Sequence, residues 1–224
     1  MTGAPQPLTR EQTITSHAAT AIAPPAPRDR RRLACGLIAG PVLLGVGMVQ
    51  VVTRDGFDLD RHALSQLSLG PWGFVQIANF LVTGALVIAA ARRLRGVPGA
   101  VWGPRLLAGF GAGMLVAGVF VADPAFGFPV GTPGGPGSIS WHGVLHTAGF
   151  TVAMVSWTAA MIVLARGDRA RAAVCVTALV IAAGVATVPV LGSFGLRALV
   201  VSGVQLAALA LLCAKALRAP APSC

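Results

Sequence analysis

The sequence predicts an all-α fold, a bundle of six transmembrane helices with both termini cytoplasmic. Three observations carry that expectation. Hydrophobic residues make up 55% of the chain and charged residues only 11%, with a mean hydropathy of +0.76, outside the range of water-soluble domains. The apolar residues gather into six runs, each near the about 20 residues a helix needs to cross the hydrocarbon core. The basic residues fall between those runs with a strong sidedness. Apolar character continues all round each run rather than along a stripe, which argues against a soluble helical bundle.

Taken in order, residues 1–32 read as a disordered tail, rich in Ala, Pro and Thr over the first 27 residues and ending in a basic juxtamembrane cluster, Arg28, Arg30, Arg31 and Arg32. The run 33–53 has 21 residues. It exceeds a signal-peptide core and reads as an uncleaved first span. Further spans are expected at 72–91, 106–122, 142–165, 172–191 and 198–214, the third and sixth with only 17 residues each. The transmembrane domain thus covers 33–217, followed by a short tail, 218–224. Gly36 with Gly40, and Gly109 with Gly113, stand four apart and suit close helix crossings. Pro189 bends or ends the fifth helix.

With the N-terminus inside, fourteen Lys and Arg residues fall in cytoplasmic segments and three, Arg54, Arg61 and Arg197, fall outside. That bias fixes the expected orientation. Four of the seven acidic residues, Asp55, Asp58, Asp60 and Asp123, then belong to the two longer outer loops, 54–71 and 123–141. The second is dense in Pro and Gly and cannot form a continuous helix, so it is expected to fold back over the helix ends.

The formal net charge of +10 would suggest nucleic acid in a soluble chain, but here it follows membrane topology, and nucleic acid is excluded as a partner. Cys35, Cys175 and Cys213 lie within apolar runs and Cys224 ends the chain, so neither a metal-ligand spacing nor a disulfide framework is present. No Asp, Glu, Lys or Arg stands centrally in a span, which counts against a proton pump or an ion-coupled transporter.

The chemistry-bearing residues cluster toward the outer face. "RDGFDLDRHALSQLSLGPWGFVQIANF" (54–80) brings Asp58, Asp60, His62 and Ser65 up to the second span, and Gln76, Asn79 and Thr83 recur at i, i+3 and i+7 on one helix face. Buried amides need partners, so this stripe should face the bundle or a wet cavity. His142 and His146, at i and i+4, share a face at the start of the fourth span. Three readings stay open for the pair: a metal site, with Asp123 or His62 supplying a further ligand; a proton-transfer or ligand-binding pair; and an interhelical hydrogen-bond pair without chemistry. The motif lacks the Glu of HExxH, and no serine sits in a GxSxG elbow.

The blocks "HALSQLSLGPWGFVQIANFLVTG" (62–84) and "GVFVADPAFGFPVGTPGGPGSISWHGVLHTAGF" (118–150) resemble a bacterial multi-pass membrane family catalogued as domain of unknown function 998. The resemblance spans roughly 33–217 and implies a six-helix membrane protein without an assigned activity. It covers Ser65, Ser68, Gly70, Asn79 and Gly84 in the first block and Asp123, Pro124, His142 and His146 in the second. The aspartate- and histidine-rich opening of the first block departs from it. In residue types alone the chain is also similar to membrane lipid hydrolases that hold zinc with histidines and an aspartate, although it has one span fewer.

The leading expectation is therefore a non-enzymatic membrane protein with a polar outer-face pocket for a small molecule or lipid. It needs no cofactor, and membrane lipid is its natural partner. The runner-up is a zinc-dependent hydrolase of lipid or envelope material, with His142, His146 and Asp123 or His62 on the metal. A small-solute transporter is a third reading. The glycine pairs leave homo-oligomerisation open.

Overall fold

A computed structural model describes residues 27–94, 101–187 and 193–218. These fold into six helices: α1 (Pro27–Thr53), α2 (Gly73–Leu94), α3 (Trp102–Val119), α4 (Trp141–Leu164), α5 (Arg169–Thr187) and α6 (Phe194–Arg218). A short 3-10 turn, Leu64–Ser68, lies between α1 and α2. The tail 1–26 and Pro189 lie outside the described residues.

Five helices are long and apolar enough to cross a membrane. The sixth, α3, has 18 residues and includes five glycines and Arg105, which dilute its hydropathy. Its setting explains the glycines. A Cβ on Gly111 would lie 2.7 Å from the carbonyl oxygen of Gly84 on α2, and one on Gly113 would lie 2.5 Å from the carbonyl oxygen of Gly149 on α4. Small residues let helix α3 wedge between two neighbours at backbone contact, the usual source of helix affinity in lipid. The expected role of Gly109 and Gly113 is met here. Gly36 and Gly40 likewise face Cys213 and Leu206 of α6.

Successive helices pack against each other in sequence, and α6 returns to α1, so the six form a closed ring. Antiparallel pairing is fixed by contacts at both ends: Arg93 of α2 pairs with Asp29 of α1 at 3.2 Å, whereas Gln76 of α2 meets Gln50 of α1 near the opposite end. Consequently the helix ends that carry the arginine clusters share one end of the bundle, and Arg54, Arg61 and Arg197 lie toward the other. At the clustered end Asp168 accepts from the ammonium of Lys215 and from the backbone of Arg171, which hold its carboxyl at about 2.

The described part of helix α1 reaches back to Pro27, six residues before Leu33. The cluster Arg28–Arg32 therefore rides on the helix. Exposed Trp72 and Trp141 mark the end opposite the arginines and Trp102 marks the arginine end, as interfacial indoles do. Between them the surface carries Val49, Phe74, Val152, Val155, Val176, Val180 and Leu211. That apolar belt, with the five spanning helices, makes this a transmembrane protein.

Candidate functional site

At the end opposite the arginines, the segments 54–72 and 120–140 fold onto each other as a cap. His62, only 2% exposed, is the lock. Its Nδ1 accepts the amide of Asp58 at 2.9 Å and its Nε2 lies 3.1 Å from the carbonyl oxygen of Phe126. An N–H donor on one side and a carbonyl on the other fix the neutral tautomer with the proton on Nε2. Phe126 holds a left-handed φ of 55°, unusual for a bulky residue. The ring of His62 packs against Phe57 and Phe128, and the Arg54 guanidinium stands over Phe128. Gln66 adds a second tie, accepting from the Ala63 amide and donating to the Ala125 carbonyl at 3.1 Å. Leu64, Leu67 and Phe128 form a separate small apolar core beneath.

The second segment is latched where it enters α4. Ser140 caps that helix by accepting from the Gly143 amide, a standard N-cap, and gives both its own N–H and O–H to the two oxygens of Asp123. Burial alone would raise the Asp123 carboxyl; these two hydrogen bonds from Ser140 hold it below its ordinary value. Gly143 has no room for a Cβ, which would enter the Asp123 carboxylate.

The two histidines of α4 face the end of α3. His142 Nδ1 lies 3.1 Å from the Val121 carbonyl oxygen, and His146 Nδ1 lies 2.8 and 2.9 Å from those of Ala117 and Phe120. The last carbonyls of a helix lack intrahelical partners. Here α4 supplies them, and because carbonyls only accept, both imidazoles carry a proton on Nδ1. Their Nε2 atoms have no partner among the described residues. His142 Nδ1 stands 3.8 Å from Asp123 Oδ1, and among the described residues no group of three or more His, Cys, Asp or Glu side chains is arranged to hold a metal ion.

Deeper in the bundle, Gln50 of α1 donates to Gln76 Oε1 at 2.8 Å, and Asn79 donates to the same oxygen and to the Leu43 carbonyl at 3.0 Å. With Thr83, these make a polar seam between α1 and α2, all at most 5% exposed. Gln50 Oε1, Gln76 Nε2, Asn79 Oδ1 and Thr83 Oγ1 have no partner within the described protein.

Beside the seam, under the 3-10 turn, lies a cavity of about 460 Å³, within the ~300–1,000 Å³ typical of ligand sites. Its walls are mainly apolar: Leu43, Phe80, Phe110, Met114, Met154 and Leu206, with His146 and a few hydroxyls among them. Thr147, Phe150 and Thr151 of α4 and Phe194 of α6 line it and are also exposed. These exposed lining residues all belong to α4 and α6.

A family model described as "Protein of unknown function (DUF998)" matches residues 37–215. The chain belongs to the DUF998 family. No curated protein and no solved structure matches it.

In this DUF998 chain the nine residues expected around one outer pocket occupy separate places. Asp58 and Asp60 are exposed in a tight turn, the Asp58 carboxylate accepting the Asp60 amide. His62 is the cap lock, Gln76 and Asn79 belong to the seam, and Asp123 and His142 form the latch beside α4. Only Ser65 and His146 line the cavity. Gln50, Gln66, Arg54 and Ser140 were missed. A lone amide such as Gln50 inside an apolar span was a usable signal, since it needs a partner at the same depth. The apolar cavity walls carry no sequence signal that separates them from ordinary core.

Proposed function

We propose that this DUF998 protein crosses the cell membrane six times, with its arginine-rich end and both termini in the cytoplasm, and binds a lipid or lipid-like small molecule in the cavity below the outer cap. The observation that carries the reading is the cavity: largely apolar, enclosed by five helices' worth of packing and cap, and with its exposed lining residues on α4 and α6. A ligand that dissolves in the outer leaflet reaches such a site without crossing water. The distribution of basic residues, fourteen against three, supports the orientation.

Orientation is tested in whole cells with an impermeant thiol reagent, on Asp58→Cys and Thr132→Cys. Both cysteines are expected to react in intact cells; reaction only after the cells are opened would reverse the topology. Occupancy is tested by photolabelling the reconstituted protein with a long-chain alkyl diazirine. Label is expected on Phe150, Met154 and Ser202, and Ala198→Phe, which places a ring in the cavity, should cut that label about fivefold, as loss of roughly 1 kcal/mol of binding implies. Label confined to outward residues such as Val152 and Val155, and unchanged by Ala198→Phe, would refute a ligand site here.

A further inference from the structure

The polar atoms of the cavity are unequal in what they offer. His146 is 7% exposed, lines the cavity, and spends its Nδ1 proton on the Ala117 and Phe120 carbonyls. The nitrogen left over, Nε2, is therefore a lone pair with no partner among the described residues, carried by a side chain that is more than nine-tenths buried. Three of the four lining hydroxyls are committed in the same sense, Ser65 being the fourth. Thr147, Thr151 and Ser202 each donate to a carbonyl one turn back on their own helix, Gly143, Thr147 and Ala198 respectively, leaving only acceptor capacity. Gln205 gives one N–H to the sulfur of Met154 and keeps a second. Among the described lining residues there is no Lys, Arg, Asp or Glu.

Such a lining is selective. An anionic carboxylate or phosphate placed inside would find lone pairs and no cation, and a buried unpaired charge is heavily penalised. An ether or ester oxygen could accept from the second Gln205 N–H or the Ser65 hydroxyl, but it would leave the His146 lone pair without a donor. A ligand with a neutral O–H satisfies the imidazole and leaves its chain for the apolar walls.

We infer that the cavity takes a neutral long-chain alcohol, whose hydroxyl donates to Nε2 of His146 while its hydrocarbon chain lies between α4 and α6. This rests on the proposed cavity occupancy and specifies its chemistry. The chain direction follows from the lining of α6, where Phe194, Ala198, Ser202, Gln205 and Leu206 fall on one face and extend about 18 Å along the axis at 1.5 Å per residue.

The test uses full-length protein in lipid nanodiscs, with the alkyl diazirine as tracer and three competitors of equal chain length: 1-dodecanol, dodecyl methyl ether and, at mildly alkaline pH, dodecanoate. Dodecanol is expected to displace the tracer at about tenfold lower mole fraction than the ether, the ratio for a buried acceptor that gains or lacks its donor. Dodecanoate should be the weakest. In His146→Leu the alcohol-to-ether ratio should fall below about twofold. If that variant does not fold, the imidazole nitrogen resonances of wild type decide: dodecanol should shift Nε2 of His146 and the ether should not. Equal displacement by alcohol and ether, an unmoved Nε2, or strongest displacement by dodecanoate would overturn the assignment and leave cavity binding standing. Tracer that no competitor displaces, and that Ala198→Phe does not reduce, would overturn both.

Discussion

Gly113→Val is expected to cost about 3 kcal/mol or more and to lower the apparent melting temperature by about 6–12 °C. The reason is geometric. The first added carbon would sit 2.5 Å from the Gly149 carbonyl oxygen and 2.6 Å from the Ala153 amide nitrogen. Both are main-chain atoms of α4 and cannot rotate aside, so α3 and α4 must separate, and with them one wall of the cavity. The matched control is Gly45→Val on α1, where an added Cβ meets nothing within 4 Å and the shift should stay within about 0.5 kcal/mol. Thermal unfolding of both variants in the same detergent, followed by tryptophan fluorescence, checks the pair. Equal shifts would show that the glycine contact between α3 and α4 does not hold the bundle.

His62→Ala is the second large effect, about 2–4 kcal/mol. It removes the acceptor for the Asp58 amide and the donor for the Phe126 carbonyl, and it leaves a void between Phe57 and Phe128. The loss should be local, since the bundle core is a separate cluster from the cap core. Amide exchange resolves this: protection should fall across 54–72 and 120–140 while α3 and α4 keep theirs. Unchanged protection in the cap would mean that Gln66 and the latch at Asp123 hold it without the histidine.

Much of the bundle was legible in the sequence because a helix in lipid must be apolar over its whole circumference, which makes spans visible as runs. Their ends were less visible. Helix α1 extends N-terminal of Leu33 because arginines are good helix formers once outside the hydrocarbon, and α3 stops at Val119, where the nearby carbonyls turn to α4. The stripe Gln76, Asn79, Thr83 correctly announced an inward face. Periodicity gives the face of one helix and not the neighbour it meets, so it could not name Gln50 of α1 as the partner. His142 and His146 share a face as their spacing requires, yet His142 Nδ1 reaches the Val121 carbonyl and His146 Nδ1 those of Ala117 and Phe120. The unpaired end of α3 decided their task, and nothing in the i, i+4 spacing encodes where another helix ends.

The exposed lining of the cavity on α4 and α6 bears on how such a site is filled. A cavity roofed toward water and open toward hydrocarbon equilibrates with solute already dissolved in the leaflet. Under the proposed occupancy, binding follows mole fraction in the bilayer, and partitioning concentrates a sparingly soluble alcohol there before binding begins. Weak intrinsic affinity is enough for high saturation under those conditions, and titrations expressed in aqueous concentration would change with the amount of lipid present.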